Sequence, residues 1–157
     1  MHKVLEIWSG GQTGVDRAAL GWAIENRIAH TGWCPKGRKA EDGVIPESYS
    51  LKETPGDDYA QRTEWNVRDS DGTVIFSISE NLSGGSKETL RFAQGRKKPV
   101  LHLSRERDAA SAPEKLVGFL QEHSIEKLNV AGTRASEEPE AGGFAREVLD
   151  KAWEILR

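Results

Sequence analysis

Three short segments rich in Gly, Ser and Thr contain residue types that could bind an anion. They read SGGQTG over residues 9–14, SENLSGGSKET over residues 79–89 and AGTRASEEPEAGG over residues 131–143. Glycine permits a positive φ and lets a ligand approach the backbone, and the N–H groups at a helix start attract anions. A phosphate is therefore the group we expect, although a single glycine pair after a strand is often only a tight turn and a helix cap.

The residues that we predict to contact the ligand share small size, a hydroxyl or amide group, or a cationic fork. From these segments they are Ser9, Gly10, Gly11, Gln12, Thr13, Gly84, Gly85, Ser86, Thr89, Gly132, Thr133, Arg134 and Ser136. Their backbone N–H groups and short side chains could cradle phosphate oxygens. Arg134 could add a charged fork. The alternative is that Arg134 is solvated or paired with Glu137 and Glu138.

A predicted helix over residues 58–69 adds further polar candidates. Arg62 and Asn66 are four residues apart and share one face of that helix, with Thr63 beside them. We predict that Arg62 and Asn66 contact the ligand. The alternative is a solvated helix face beside a core stripe formed by Trp65 and Val67.

The elements that must position these residues alternate along the chain. We predict strands near residues 3–8, 73–78, 99–103 and 127–131, an extended piece near 30–34, and helices near 14–27, 58–69, 85–96, 113–123 and 141–156. This pattern predicts an α/β fold with a parallel sheet of about five strands and helices on both faces. Parallel strands share one carboxyl edge, so the three segments should meet there.

Residues 34–49, CPKGRKAEDGVIPESY, form a long segment that Pro and Gly punctuate too heavily for regular structure. Its basic residues are Lys36, Arg38 and Lys39. They could fold over an anionic ligand, but a solvated charge run is the commoner outcome. We therefore do not assign them to the site.

Composition excludes several classes of protein. We expect the 157 residues, 36% of them hydrophobic, to form a single ligand-binding domain over 1–157. A net charge of −3 argues against nucleic-acid binding. No apolar run of membrane-spanning length or signal segment is visible, so we expect a cytoplasmic protein without membrane contact. Cys34 is the only cysteine, and it shows no metal-ligand spacing with the histidines.

The stretches SGGQTGVDRAAL, YAQRTEWNVRDSDGTVIF, SGGSKET and NVAGTRAS occur in an order that resembles the molybdenum cofactor carrier proteins. That family belongs to the SLOG superfamily of Rossmann-like nucleotide-binding proteins, which also includes the Lonely Guy phosphoribohydrolases. The resemblance implies a Rossmann-like fold, a homo-oligomer such as a dimer or tetramer, and binding of a small anionic phosphate-bearing ligand. The ligand it implies is the molybdenum cofactor (molybdopterin), with molybdoenzymes as possible recipients. Asp16 enters the predicted site mainly through this resemblance.

Catalysis is the competing class of function. The phosphoribohydrolases carry PGGxGTxxE, whereas residues 83–91 read SGGSKETLR, with Arg91 where the catalytic glutamate would stand. Glu88 is displaced along the helix, and each residue turns a side chain by about 100°. We therefore expect a binding protein rather than an enzyme. The alternatives are a nucleotide or nucleotide-sugar sensor and a nucleoside monophosphate phosphoribohydrolase. We also expect Gly11→Asp to place a carboxylate against the bound anion.

Overall fold

The computed structural model describes residues 5–157. The elements of this part of the chain are, in chain order, β1 (Glu6–Trp8), α1 (Val15–Glu25), β2 (Ala29–Thr31), β3 (Trp33–Cys34), β4 (Lys39–Ala40), β5 (Gly43–Val44), β6 (Lys52–Glu53), α2 (Tyr59–Asp69), β7 (Gly72–Ser77), α3 (Gly84–Gly95), β8 (Val100–Ser104), α4 (Arg105–Asp108), α5 (Ala112–Glu122), β9 (Lys127–Gly132) and α6 (Ala141–Leu156). None of the helices within residues 5–157 is long and apolar enough to cross a membrane.

The central sheet has five strands in the order β2-β1-β9-β7-β8, and every pairing in it is parallel. The three Gly-rich segments follow β1, β7 and β9, which are the three adjacent strands at the centre of the sheet. They therefore meet at its carboxyl edge. The predicted α/β Rossmann-like fold with about five parallel strands is confirmed.

Side chains of the interior strand β7 alternate between two faces of the sheet. Val74 and Phe76 belong to the main hydrophobic core, which also contains residues of α1, α5 and α6. Phe76 meets Phe144 of α6 edge-on, with ring centroids 5.9 Å apart. Thr73 points to the other face, where its hydroxyl accepts a hydrogen bond from Asn129. Helices α2 and α3 pack against each other and form the second helical layer.

Most predicted elements match the structure to within a few residues, and the extended piece near 30–34 needs correction. The first strand was expected from residue 3, but residues 1–4 lie outside the described part of the chain. The extended piece near 30–34 is two strands, because Gly32 with φ 145° separates β2 from β3. β2 joins the central sheet, whereas β3 pairs with β6 in a separate two-stranded sheet. The short helix α4 had no counterpart in the prediction.

The expectation that residues 34–49 lack regular structure is wrong. β4 and β5 form an antiparallel hairpin in this segment, which is part of a strap that we define as residues 38–51. A small core lies beneath the strap and contains Cys34, Ala40 and Ile45. Arg38 is half-buried, and its guanidinium donates to the carbonyl groups of Ile45, Pro46 and Tyr49. These local contacts give the strap a defined shape.

Candidate functional site

A cavity of about 220 Å³ opens at the carboxyl edge of the sheet, where the loops after β1, β7 and β9 meet helix α2. The predicted site residues that line it are Gly10, Gln12, Asp16, Arg62, Asn66, Gly84, Gly85, Ser86, Thr89, Gly132, Thr133 and Arg134. The structure thus brings together residues from four distant parts of the sequence. Whether each of them contacts a ligand stays a prediction.

Four predicted residues do not line this cavity: Ser9, Gly11, Thr13 and Ser136. Gly11 has φ +78°, and a Cβ at this position would lie 2.7 Å from Cδ1 of Leu51 and 2.9 Å from Cδ1 of Ile45. A carboxylate at residue 11 would therefore collide with the strap. The expectation that Gly11→Asp tests anion binding is wrong, because the position faces apolar side chains.

Three N–H groups of the first loop already have partners in that loop or at the start of α1. The N–H of Gly11 donates to Oγ of Ser9, at 3.3 Å. The N–H of Gln12 donates to Oδ2 of Asp16 at 3.2 Å, and that of Thr13 donates to Oε1 of Gln12 at 3.1 Å. The protein's own oxygens thus occupy three of the N–H groups that we expected to cradle a phosphate.

The start of helix α3 presents donors that its own loop does not cap. Gly84, Gly85 and Ser86 form the first turn of this helix and line the cavity. The first N–H groups of an α-helix have no intrahelical acceptor, and the N-cap residue Ser83 makes no side-chain capping hydrogen bond. These N–H groups and the positive end of the helix dipole can bind an anion.

Arg62 is buried against the first loop and is only 8% exposed. Its Nη1 donates to the carbonyl oxygen of Gly10 at 2.8 Å and lies 3.8 Å from Oδ2 of Asp16. A Cβ on residue 10 would lie 2.8 Å from Cδ of Arg62, so this close approach requires glycine. The bare backbone at residue 10 therefore admits a guanidinium to the wall of the cavity.

Asn66 lies one turn further along α2 and is also buried. Its amide oxygen accepts from the N–H of Trp33 at 2.8 Å, and its Nδ2 donates to the carbonyl oxygen of the same residue at 2.9 Å. The side chain thus holds the backbone of β3 next to the cavity. The alternative of a solvated helix face is wrong for both Arg62 and Asn66, although Val67 does pack in the interior.

Asp16 is the buried acid of the cavity. Burial raises the pKa of its carboxyl to about 6, and the nearby charge of Arg62 opposes this rise. The carboxyl therefore changes its charge in a pH range where an ordinary aspartate stays ionised.

The loop between β9 and α6 uses its own acids to satisfy its donors. Nε of Arg134 lies 3.2 Å from Oε1 of Glu137 and 3.6 Å from Oε1 of Glu41. Pairing of Arg134 with Glu137, one of our two alternatives, is therefore present. Glu138 instead accepts a hydrogen bond from Oγ1 of Thr133 at 2.6 Å and two from backbone N–H groups that follow β7.

Other lining residues were not in the predicted set: Tyr59, Thr63, Glu88, Asn129, Val130, Ala131 and Glu137. Residues 129–131 belong to β9, whose central place in the sheet is not readable from the sequence. Glu88 was expected to turn away from the reacting bond of a substrate, yet this residue lines the cavity, since the start of α3 forms part of the wall. With Asp16, Glu88 and Glu137 against Arg62 and Arg134, the wall has more acids than bases.

The described residues contain no cluster of metal-binding side chains, and the thiol of Cys34 is buried. Within residues 5–157, no three or more His, Cys, Asp and Glu residues are placed to hold a metal ion. Cys34 is fully buried under the strap, and burial raises the pKa of its thiol. The thiol is therefore protonated and shielded at neutral pH.

Comparison with known proteins assigns the family. The model of the circularly permutated YpsA SLOG family matches residues 7–153. A crystal structure from Syntrophus aciditrophicus SB, of a protein whose name proposes a molybdenum carrier, is 46% identical and has a TM-score of 0.90, with 95% of this chain and 94% of that chain covered. No curated protein matches. The SLOG resemblance is confirmed, and the chain belongs to the circularly permutated YpsA SLOG family.

Proposed function

We propose that this protein binds a small phosphate-bearing molecule in the cavity, with the phosphate at the first turn of α3. The observation that carries the proposal is the contrast between two loops. The N–H groups of Gly11, Gln12 and Thr13 in the first loop donate to Ser9, Asp16 and Gln12. The start of α3 opens on the cavity without a side-chain cap.

The molybdenum cofactor is the leading candidate for the ligand. The similar structure from Syntrophus aciditrophicus supports this choice, since the name of that protein proposes a molybdenum carrier. Molybdopterin carries a phosphate at one end and a pterin ring with N–H donors at the other. The start of α3 suits the phosphate, and the carboxyl groups of Asp16 and Glu88 suit N–H donors. Transfer to molybdoenzymes, a homo-oligomeric state and a cytoplasmic location belong to the same proposal.

A nucleotide or nucleotide sugar is the second candidate. The same acidic residues that suit a pterin can accept hydrogen bonds from ribose hydroxyls or base N–H groups. The protein would then act as a nucleotide sensor and use the start of α3 for the nucleotide phosphate.

Anaerobic calorimetric titration separates these ligands. The purified protein is titrated with intact molybdenum cofactor, and AMP and ADP-ribose are run in parallel. Binding of the cofactor at least tenfold tighter than either nucleotide supports the carrier. Tighter binding of a nucleotide supports the sensor, and no heat with any of the three contradicts the proposed ligand class.

The position of Glu88 keeps a hydrolase as a third candidate. This residue lines the cavity near the start of α3. A phosphoribohydrolase would cleave AMP with one water molecule to adenine and ribose 5-phosphate. Incubation with AMP followed by chromatography measures free adenine, and Glu88→Gln should abolish any release. The absence of adenine from the wild-type reaction would eliminate this activity toward AMP.

Gly85 provides the test of the phosphate position. A Cβ at this residue meets no atom within 4 Å, so a side chain fits without displacing its neighbours. We expect Gly85→Asp to weaken binding of the phosphate-bearing ligand at least tenfold, because its carboxylate takes the place of the anion. The helix dipole favours an acid in the first turn, so folding should be preserved.

Gly85→Asn is the matched control, because asparagine has nearly the same shape as aspartate without the charge. It should retain most of the affinity in the same titration. Equal losses in both variants would indicate a steric effect, and unchanged affinity in Gly85→Asp would place the phosphate elsewhere.

A further inference from the structure

The side chain of Glu41 is bound by an unusual set of donors. Glu41 lies in the turn between β4 and β5, and its side chain is 19% exposed. Oε1 accepts from Oγ of Ser136 at 2.5 Å, and Oε2 accepts from the N–H of Ser136 at 3.2 Å and from Oγ1 of Thr13. Nε of Arg134 lies 3.6 Å from Oε1.

Two hydroxyls, one backbone N–H and a guanidinium are the donors that proteins use to bind phosphate oxygens. Thr13 and Ser136 were predicted from the sequence to bind the ligand, but they do not line the cavity. Arg134 connects the two places, since it lines the cavity and also faces Glu41. The set of donors that contacts the Glu41 carboxylate is therefore next to the proposed ligand site.

We propose that Thr13, Ser136 and Arg134 form a second oxyanion subsite, which the carboxylate of Glu41 fills when no ligand is bound and which a phosphate group takes when Glu41 leaves. The assignment of this subsite to the physiological ligand rests on the proposed function. The ability of these donors to bind an oxyanion does not depend on the proposed function.

The side chain and the backbone of Glu41 have different hydrogen-bond partners. The N–H of Glu41 donates to Oε1 of Gln12 at 2.9 Å, which holds the hairpin turn in place. The next residue, Asp42, forms an ion pair with Arg17 of α1, in which Nη2 lies 2.7 Å from Oδ1. Rotation of the Glu41 side chain therefore frees the donors while the strap stays attached to the first loop.

Because the carboxylate of Glu41 is negatively charged, it can compete with phosphate for the same donors. Hydrogen bonds from Ser136 and Thr13 hold the pKa of this carboxyl below its usual range. The side chain is thus an anion at neutral pH and must be displaced by another anion.

A subsite of this kind extends the ligand that the protein can accept. One phosphate or other oxyanion would bind at the start of α3, and a second anionic group would bind at Thr13 and Ser136. The ligand class that fits both is a molecule with two anionic groups. The molybdenum cofactor, with its phosphate and its metal oxygens, and a nucleoside diphosphate derivative, with its two phosphates, both have this property.

Titration with inorganic phosphate tests the subsite. We expect Glu41→Ala to bind phosphate at least tenfold tighter than the wild type, because the internal carboxylate no longer competes. The double variant Glu41→Ala/Ser136→Ala should lose this gain. A gain that survives in the double variant would show that phosphate binds elsewhere.

Asp42→Asn is the matched control, because it removes the neighbouring carboxylate of the same turn and leaves Glu41 on its donors. It should show no gain in phosphate affinity. A gain equal to that of Glu41→Ala would indicate a general charge effect and would overturn the subsite.

Cys34 reports whether the strap stays folded in these variants, since it is the only cysteine and lies in the small core beneath the strap. Its reaction with a thiol reagent should stay slow in Glu41→Ala. If it becomes fast, Glu41→Gln is the deciding variant, because glutamine keeps the shape and loses the charge. If both Glu41→Ala and Glu41→Gln bind phosphate no tighter than the wild type does, the proposal is overturned.

The two proposals fail separately. In Gly85→Asp/Glu41→Ala, the gain in phosphate affinity over Gly85→Asp alone should persist, because the subsite does not use the start of α3. Wild-type binding of molybdenum cofactor or AMP tests the cavity without reference to Glu41. Loss of the gain in this double variant would mean that the two positions form one site.

Discussion

At the scale of single residues, the protonation of Asp16 decides the charge of the cavity wall. Burial raises its pKa from 3.8 to about 6. A raised pKa in the folded state means that folding favours the protonated carboxyl, so the ionised form costs stability as the pH rises from about 4 to about 6. We expect Asp16→Asn to gain about 3 kcal/mol of unfolding free energy relative to wild type between pH 4 and pH 7.

Urea denaturation of both proteins at pH 4, 5, 6 and 7 measures this difference. Asparagine keeps an oxygen that can accept from the N–H of Gln12, so the variant isolates the charge. A difference that does not change with pH would show that Asp16 ionises like an exposed aspartate.

Individual residues also show how much of the candidate site could be predicted from the sequence. Helical spacing pointed to Arg62, and the place after a strand pointed to the glycines at the start of α3; all of them line the cavity. Thr13 and Ser136 were expected at the ligand, whereas the structure places them on Glu41. That contact joins residues far apart in the chain, so no local pattern contains it.

At the scale of elements, Asp108 ties β8 to the two helices that follow it. The side chain is 1% exposed and accepts from the N–H of Ser104 at 3.0 Å, from Arg107 at 2.8 Å and from Lys115 at 2.7 Å. Burial alone would raise its pKa, but these hydrogen bonds outweigh burial and hold the pKa well below its usual range. We expect Asp108→Asn to lose about 2 kcal/mol of stability at pH 7.

Because the pKa of Asp108 is lowered, its contribution to stability changes with pH in the opposite direction to that of Asp16. The stabilisation by Asp108 is complete above its unfolded-state pKa of about 4 and declines as the pH falls further. The stability gap between wild type and Asp108→Asn should therefore narrow between pH 5 and pH 2 in urea denaturation. A gap that stays constant over this range would assign the loss to shape rather than charge.

The strap, like the short helix α4, was not predicted from the sequence. Its strands have two residues each, which is too short for a periodic pattern. Its shape depends on Arg38 bonding three carbonyl groups and on Ile45 packing over Cys34. The long helices and β7, in contrast, carry enough apolar periodicity to be located from the chain alone.

At the scale of the whole molecule, the strand order creates the site. The alternating pattern predicted a parallel sheet, but the pairing of β9 between β1 and β7 depends on contacts across the chain. This order puts the three Gly-rich loops side by side. It also places α2 above them, so that Arg62 reaches the first loop.

A ligand in the cavity would therefore touch segments from most of the chain and should stabilise the fold as a unit. At a ligand concentration 100 times Kd, mass action adds about 2.7 kcal/mol to the unfolding free energy. For a chain of this length, that corresponds to a rise in Tm of about 5–10 °C. Scanning calorimetry with molybdenum cofactor or AMP measures the rise, which Gly85→Asn should retain and Gly85→Asp should lose. A ligand that binds by titration but leaves Tm unchanged would have to bind the unfolded chain equally well, which a site assembled from three loops and a helix does not allow.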